Sequence, residues 1–463
     1  MNKARNSPQK TIDLTEYKGH TFPISEFSFL SEQDFQRAAE ILGPLVEVSR
    51  WGKEHLSFKA GSRVGVIETH GLRVQIRPAL SVNEMVALIH YALSGRIPLQ
   101  YLRAFAQIDW GTGFEDILCL LLATETEEIL RVGLSRRYEK KCEPLDFLRG
   151  RPLWERNFPW RGARSKELTC RYHQITYDNP DNRLLLAGLR SAIHLARARE
   201  IKGKVFRHLK TLRDLASETF PDAAQFDQVA EKYNRLSEHY RTAHGLSRML
   251  IFNLRPKSLY ERGKQLAFGM VLDMADLFEK FIFQLMTDVL TPAGFVIQSQ
   301  APDRQALLDA EGQKYVSVRP DLLVFRSQTL YGVIDAKYKP YWVAAADGSP
   351  ARRISNADIY QLFFYQQRFQ RKFDLPKPPL AIIASPLPDE DERDDRPIIA
   401  HRFRRVIWQA GSEKAGDVRL LLVPMTKFLR FLIKRERPAD IVEKIGLDQI
   451  RDLFMGKIPQ ALV

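Results

Sequence analysis

The chain has 463 residues, 44% of them apolar, which is ample for sizeable cores and excludes a disordered chain. Against 56 Asp and Glu stand 70 Lys and Arg, a net charge of +14, which favours a polyanionic partner, nucleic acid before membrane. The N-terminal MNKARNSPQK has no apolar segment of a signal peptide, no stretch is apolar enough to span a membrane, and three cysteines lack metal spacing, so a cytoplasmic protein is expected.

Residues 1 to about 110 read as mixed β and α. GVIETHGLRVQIRP alternates around Gly71 and predicts a hairpin. SVNEMVALIHYAL opens with a capping box, Ser81 to Glu84, and continues at helical period. A second helix is expected over 114–133, stopping at Gly133. The charge excess then concentrates: residues 131–214 hold 21 Lys and Arg against 9 Asp and Glu. Arg136, Arg137, Lys140 and Lys141 cluster there, as do Arg197, Arg199, Lys202 and Lys204, with Tyr138, Trp154, Phe158 and Trp160 interleaved. That pattern points to DNA phosphates or an acidic partner surface, set against the plainer reading of solvated helix faces and core aromatics.

From about 181 to 250 the pattern is helical, and a long helix is predicted over about 263–290. After Pro292 the period changes. LLVF and YGVIDAKYK read as strands joined by the polar turn RSQT, followed by a helix at about 355–370 and apolar strands in PLAIIAS and VRLLLVPM. That order predicts an α/β unit with a mixed sheet, within a chain that is α+β overall. Residues 388–397, PDEDERDDRP, read as an acidic loop, and no phosphate-binding G-x-x-x-x-G-K-[ST] occurs. The chain thus divides into regions 1–110, 111–255 and 256–463.

The chemistry sits in VRPDLLVFRSQTLYGVIDAKYKP, where one apolar run begins at Asp321 and the next ends in Asp335-Ala336-Lys337. Charges are costly in buried strands, so these are either a surface ion pair or a site. Two carboxylates at neighbouring ends of paired strands suit a hard divalent cation such as Mg²⁺, which takes oxygen ligands. The two-residue period puts Asp335 and Lys337 on one face. With a metal-activated water and an ammonium to offset developing negative charge, this is the minimum for phosphodiester hydrolysis. Upstream, Glu279 interrupts the apolar run of MADLFEKFI, either as a third acid or as a helix-surface residue paired with a basic neighbour. Downstream, Gln361 and Tyr365 lie four apart on one helix face, as supports or as a polar helix edge.

Pro320-Asp321 and Asp335-Ala336-Lys337, with Glu279 before and Gln361-x-x-x-Tyr365 after, resemble the PD-(D/E)xK nuclease superfamily, the last pair its RecB-like branch. LRVQIRP, LRVGLSRRY, LDFLRGR, DNRLLLAGLRSA and DMADLFEKFI extend the resemblance to the McrC family, the nuclease subunits of McrBC-type modification-dependent restriction systems. The resemblance implies a restriction-endonuclease-like fold for the last region, with a mixed sheet flanked by helices. It implies Asp321, Asp335 and the Ala336 carbonyl as Mg²⁺ ligands, Lys337 as the catalytic lysine, Glu279 as an accessory acid, and Gln361 and Tyr365 as supports. It also implies an N-terminal docking region, an AAA+ GTPase partner, and double-stranded DNA with modified cytosine as substrate. Two other readings stay open: an activator of a ring NTPase on a nuclease scaffold, and a stand-alone repair exonuclease.

Overall fold

The computed structural model describes residues 10–43, 45–51, 54–69, 71–95, 113–157, 167–235, 237–252, 268–299, 303–308, 314–339, 341–344, 350–352, 355–387, 403–407 and 417–457. The expected acidic loop at 388–397, the aromatics Phe158 and Trp160, and the start of the helix expected at 263 lie outside them.

Two compact units make up the chain, one of residues 1–111 with 258–463, the other of residues 112–257. The middle region of the sequence reading thus stands apart, while its first and last regions share one unit.

The first unit begins with β1 (Lys10–Thr15) and β2 (Gly19–Pro23), then α1 (Glu32–Leu42), β3 (Val46–Trp51), β4 (His55–Ala60), β5 (Arg63–Thr69), β6 (Leu72–Arg77) and α2 (Val82–Ser94). β5 and β6 form the expected hairpin, with Gly71 at φ +77° in the left-handed region that glycine reaches without strain. The capping box is also present: Ser81 Oγ accepts from the Glu84 N–H, and the Glu84 carboxylate accepts from the Ser81 N–H at 2.8 Å.

The second unit opens with α3 (Phe114–Val132), which stops at Gly133 as expected, and continues with β7 (Arg137–Leu145), β8 (Arg151–Pro152) and β9 (Leu168–Thr176) in one antiparallel sheet. Next come α4 (Pro180–Leu195), α5 (Arg199–Arg213), α6 (Ala223–Ala230) and α7 (Arg241–Phe252). The start of α4 explains the DNRLLL stretch. Asn179 caps the helix, Pro180 occupies its first turn, and Asn182 is fully buried, donating to the Ser135 and Tyr177 carbonyls and accepting from Tyr240 Oη at 2.6 Å. His244 on α7 bonds the Asp181 carbonyl at 2.8 Å, and burial lowers its pKa to about 4.

The chain then returns to the first unit. Instead of one helix from 263, strand β10 (Phe268–Asp273) pairs antiparallel with β5, and helix α8 (Met274–Leu290) starts only where the Asp273 carboxylate accepts the Ala275 N–H at 2.9 Å. Helical periodicity in the sequence misses this because strand pairing with a partner some 200 residues away overrides local preference. β10 completes the sheet β1-β6-β5-β10. Tyr91 of α2, Phe281 of α8 and Phe428 of a C-terminal helix at 425–433 meet with ring centroids 4.9–5.6 Å apart, and Tyr91 Oη donates to Asp288 at 2.6 Å. These contacts are why the first and last regions fold as one unit.

After α8 come β11 (Val296–Ser299), β12 (Asp303–Leu308), β13 (Lys314–Val318), β14 (Leu322–Arg326), β15 (Thr329–Ala336), β16 (Trp342–Ala344), β17 (Pro350–Arg352), α9 (Asn356–Lys372), β18 (Leu380–Pro386), β19 (Phe403–Ile407) and β20 (Asp417–Val423). A mixed sheet runs β11-β14-β15-β18-β20-β19, parallel from β15 through β18 to β20 and antiparallel elsewhere. The RSQT turn is a two-residue loop with Ser327 at φ +47° and Gln328 at φ +67°, the twist that matches a right-handed hairpin. The core on the α9 side of this sheet holds Leu323, Val333, Leu362, Phe369, Ile383 and Leu420, all buried.

Gly188 in α4 faces α7 so closely that a Cβ there would lie 2.0 Å from Ser247 Oγ and 2.9 Å from its Cα. Gly188→Ala is expected to destabilise the second unit by about 1–3 kcal/mol through overpacking, read as a lower melting temperature for its transition. A variant melting at or above wild type would contradict this packing.

Candidate active site

The site grows from the β14–β15 register. Leu322 pairs with Ile334, so Asp321 and Asp335, one step further along each strand, stand opposite each other at the same sheet end. The Ala336 N–H donates to Asp321 Oδ2 at 2.7 Å, tying the two strand ends together. Lys337 Nζ lies 2.7 Å from Asp335 Oδ2. Asp335 is 1% exposed, yet that oxygen receives no donor in hydrogen-bonding geometry.

A cavity of about 710 Å³ opens at this end, with Glu279, Asp321, Ala336, Lys337 and Lys339 among its lining residues. Asp335 is not itself a lining residue; it is buried behind Lys337, to which it is paired. Burial, then the charges of Asp335 and Glu279, raise the Asp321 pKa to about 8, although the Ala336 N–H and Lys337 pull it down. Burial alone would lower the Lys337 ammonium, but the attraction of Asp335 and Asp321 outweighs it, so its pKa is raised and the charge is retained. Proteins place this sort of electrostatic conflict at working sites more often than in cores.

Glu279, in the second turn of α8, lines this pocket. Gln361 and Tyr365 sit on α9, and Gln361 Nε2 donates to Tyr365 Oη at 2.8 Å. Burial raises the Tyr365 pKa, and the Asp335 charge adds to this, which puts its hydroxyl within the field of the acidic pair. Neither residue lines the pocket.

Other lining residues carry no signal in the sequence. Asp276 lies one turn before Glu279 and pairs with Lys280 at 2.7 Å. Tyr17 and Ser62 arrive from the N-terminal part of the unit. Lys339 donates to Asp358 Oδ2 at 2.9 Å, and the same carboxylate accepts from Tyr341 Oη and from Ser355 Oγ. These bonds hold the Asp358 pKa below the usual carboxylate range against its burial.

The donor set suits a hard divalent cation. Two facing carboxylates, one with a buried oxygen lacking an aligned donor and one whose pKa is raised by burial and then by its acidic neighbours, are what such an ion would neutralise. Among the described residues no three His, Cys, Asp or Glu side chains form a metal-holding group, so the fit rests on Asp321, Asp335 and the Ala336 carbonyl, with water completing the shell.

The basic residues lie in the second unit. Arg136, Arg199 and Lys202 are exposed, Arg137 contacts Asp181 at 3.4 Å, and Lys204 is half-buried. Arg197 is committed to structure: it pairs at 2.9 Å with Glu115, which is 1% exposed, and its N–H donates to Asp116 at 2.8 Å.

A family model described as "McrBC 5-methylcytosine restriction system component" matches residues 58–374. The chain belongs to this family. Among solved structures, it is similar to an assembly of Thermococcus gammatolerans McrB AAA+ hexamers with bound McrC, at 17% identity and TM-score 0.51, covering 94% of this chain and all of the other. A cryo-EM structure of the Thermococcus gammatolerans McrBC complex matches at 18% identity and TM-score 0.42, over 60% of this chain and 87% of the other. No curated protein matches. Among the described residues no helix is long and apolar enough to cross a membrane.

The raised Asp321 pKa has a thermodynamic consequence. A carboxyl that binds its proton more tightly when folded stabilises the fold below its unfolded pKa near 4, and that contribution is lost as pH rises through about 8. Metal-free Asp321→Asn should therefore gain stability relative to wild type between pH 5 and pH 9, measured by denaturant unfolding in chelator. An unchanged difference across that range would contradict the electrostatic account.

Proposed function

We propose that this chain is the nuclease subunit of a modification-dependent restriction complex, hydrolysing phosphodiester bonds of double-stranded DNA that carries modified cytosine, together with an AAA+ GTPase of the McrB kind. The observation that carries the reading is the convergence of Asp321, Asp335 and Lys337 at one sheet end, where Asp321 and Lys337 line a pocket, in a chain of the McrBC family. The described McrB–McrC assembly supports the partner.

Asp321, Asp335 and the Ala336 carbonyl would hold Mg²⁺, which supplies Lewis-acid polarisation and a water acidic enough to attack at neutral pH. Asp335 holds Lys337 in place through their ion pair. Lys337, 19% exposed at the pocket wall, presents a fixed positive charge to a phosphate that gains negative charge as the bond breaks. Glu279 adds negative potential and a water-orienting oxygen from α8. Tyr365, bonded by Gln361, buttresses the sheet end. Exposed Arg136, Arg199 and Lys202, with Arg137 and Lys204, would contact DNA phosphates or an acidic partner surface. Arg197, already paired, contributes least.

DNA cleavage with partner, nucleotide and Mg²⁺ tests this. Asp321→Asn, Asp335→Asn and Lys337→Ala should each lower cutting by at least about a hundredfold, the scale of lost charge stabilisation at a reacting centre. Lys337→Ala should keep its metal affinity, and Glu279→Gln should lose less than the other three. All four should still stimulate the partner's nucleotide hydrolysis. Wild-type cutting by Lys337→Ala or Asp335→Asn would replace the nuclease reading with that of an activator.

For the basic residues, combined charge reversal at Arg136, Arg199, Lys202 and Lys204 should weaken DNA binding and flatten its dependence on log salt, as lost phosphate contacts require. An unchanged salt slope with weaker partner binding would assign the patch to the partner.

A further inference from the structure

Beyond Ala336 the chain leaves β15, and Lys337, Tyr338 and Lys339 pass along the pocket wall outside regular secondary structure. Such a segment holds a side chain in place only if its backbone is anchored by other means. The Lys337 N–H donates to the Ala384 carbonyl at 2.8 Å, and Ser385 Oγ donates to the Lys339 carbonyl at 2.8 Å. The residue between them is held from the opposite end of the chain. Tyr17 Oη donates to the Tyr338 carbonyl. Tyr338 Oη donates to Glu16 Oε1 at 2.9 Å, and the same oxygen accepts the Ala79 N–H at 2.7 Å. The Tyr338 ring packs between Phe278 and Tyr17, at centroid distances of 5.5 and 6.0 Å.

Glu16 and Tyr17 form the turn between β1 and β2, closed by the Lys18 N–H on the Thr15 carbonyl at 3.1 Å. They are costly residues for a turn. Tyr17 takes φ +58°, a left-handed conformation that bulky side chains rarely adopt. Glu16 is 4% exposed, and its Oε2 has no hydrogen-bond partner among the described residues. Glycine or asparagine would make the turn without either cost. The two side chains do something further: they grip the residue that follows Lys337.

We propose that Glu16 and Tyr17 are positioning residues of the nuclease site, fixing Tyr338 so that Lys337 is presented to the reacting phosphate. The inference rests on the role given to Lys337 above.

The test uses the full chain with partner, nucleotide, DNA and Mg²⁺, and compares Tyr17→Phe, Tyr338→Phe, Glu16→Leu and Glu16→Gln with Lys337→Ala. Tyr17→Phe and Tyr338→Phe each keep a ring and lose one donated hydrogen bond. Each should lower kcat by roughly fivefold to tenfold, the worth of one such bond. KM for DNA and stimulation of the partner should stay at wild-type values, and the melting temperature should fall by no more than the few degrees that one hydrogen bond accounts for. Glu16→Leu should lose as much, and Glu16→Gln, which keeps the acceptor oxygen, should restore most of it. If Glu16→Leu does not fold, the two Tyr→Phe variants decide. Wild-type kcat in both Tyr→Phe variants, with Lys337→Ala inactive, would overturn this inference and leave the nuclease reading standing. A fall in kcat matched by lost partner stimulation, or by a melting temperature lowered beyond the worth of one hydrogen bond, would also overturn it, in favour of a purely structural contact. Wild-type cutting by Lys337→Ala would instead defeat the nuclease reading itself.

Discussion

The pairing of Leu322 with Ile334 is the constraint on which the site depends. In an antiparallel pair, opposite residues project to the same face, so this register puts Asp321 against Asp335 and the two-residue period adds Lys337 to them. A slip of one residue would send the three side chains to different faces. The register is held by the apolar residues on both faces of β14 and β15, of which Leu322, Val324, Val333 and Ile334 are buried. The Ala336 N–H on Asp321 locks its open end. An apolar core thus imposes two carboxylates on each other.

Like charges at that distance are unfavourable, and the fold offsets this only in part. Lys337 answers Asp335, but burial, and then the charges of Asp335 and Glu279, raise the Asp321 pKa to about 8. A surface ion pair, the plainer reading of Asp-x-Lys, would show neither this burial nor this shift. Asp358, by contrast, is fully answered by Lys339, Tyr341 and Ser355, and its pKa falls. Two acidic groups, Asp321 at the sheet end and Asp358 in the first turn of α9, are thus treated oppositely. The satisfied one builds structure, and the unsatisfied one is the place where a cation would be stabilising.

Features set by neighbours in sequence were legible in the sequence: the Gly71 hairpin, the Ser81–Glu84 capping box, the stop at Gly133 and the order of strands around α9. So was the Asp321, Asp335 and Lys337 set, because a short hairpin brings them together. What was not legible depends on distant partners. β10 was hidden in an amphipathic pattern that reads as helix, since only pairing with β5 makes it a strand. Tyr17, Ser62 and Asp276 had no local mark of function. Arg197 looked as free as Arg199, because its buried partner Glu115 lies some 80 residues away.

The union of the first and last regions in one unit bears on how a docking partner would act. The family resemblance assigns docking to the N-terminal region, but that region is no detachable module here. Its β5 pairs with β10, its Tyr91 packs on Phe281 and Phe428, and its first turn holds Tyr338. A segment cut before residue 256 would leave β5 with an open edge and the Lys337 segment without two of its anchors. A load placed on the sheet β1-β6-β5-β10 would reach Tyr338 through the Glu16–Tyr17 turn, by hydrogen bonds that are either made or broken. The Glu16–Tyr17 turn thus ties that sheet and the segment carrying Lys337 into one packed unit, so the N-terminal strands are part of the scaffold of the site and not an appendage to it.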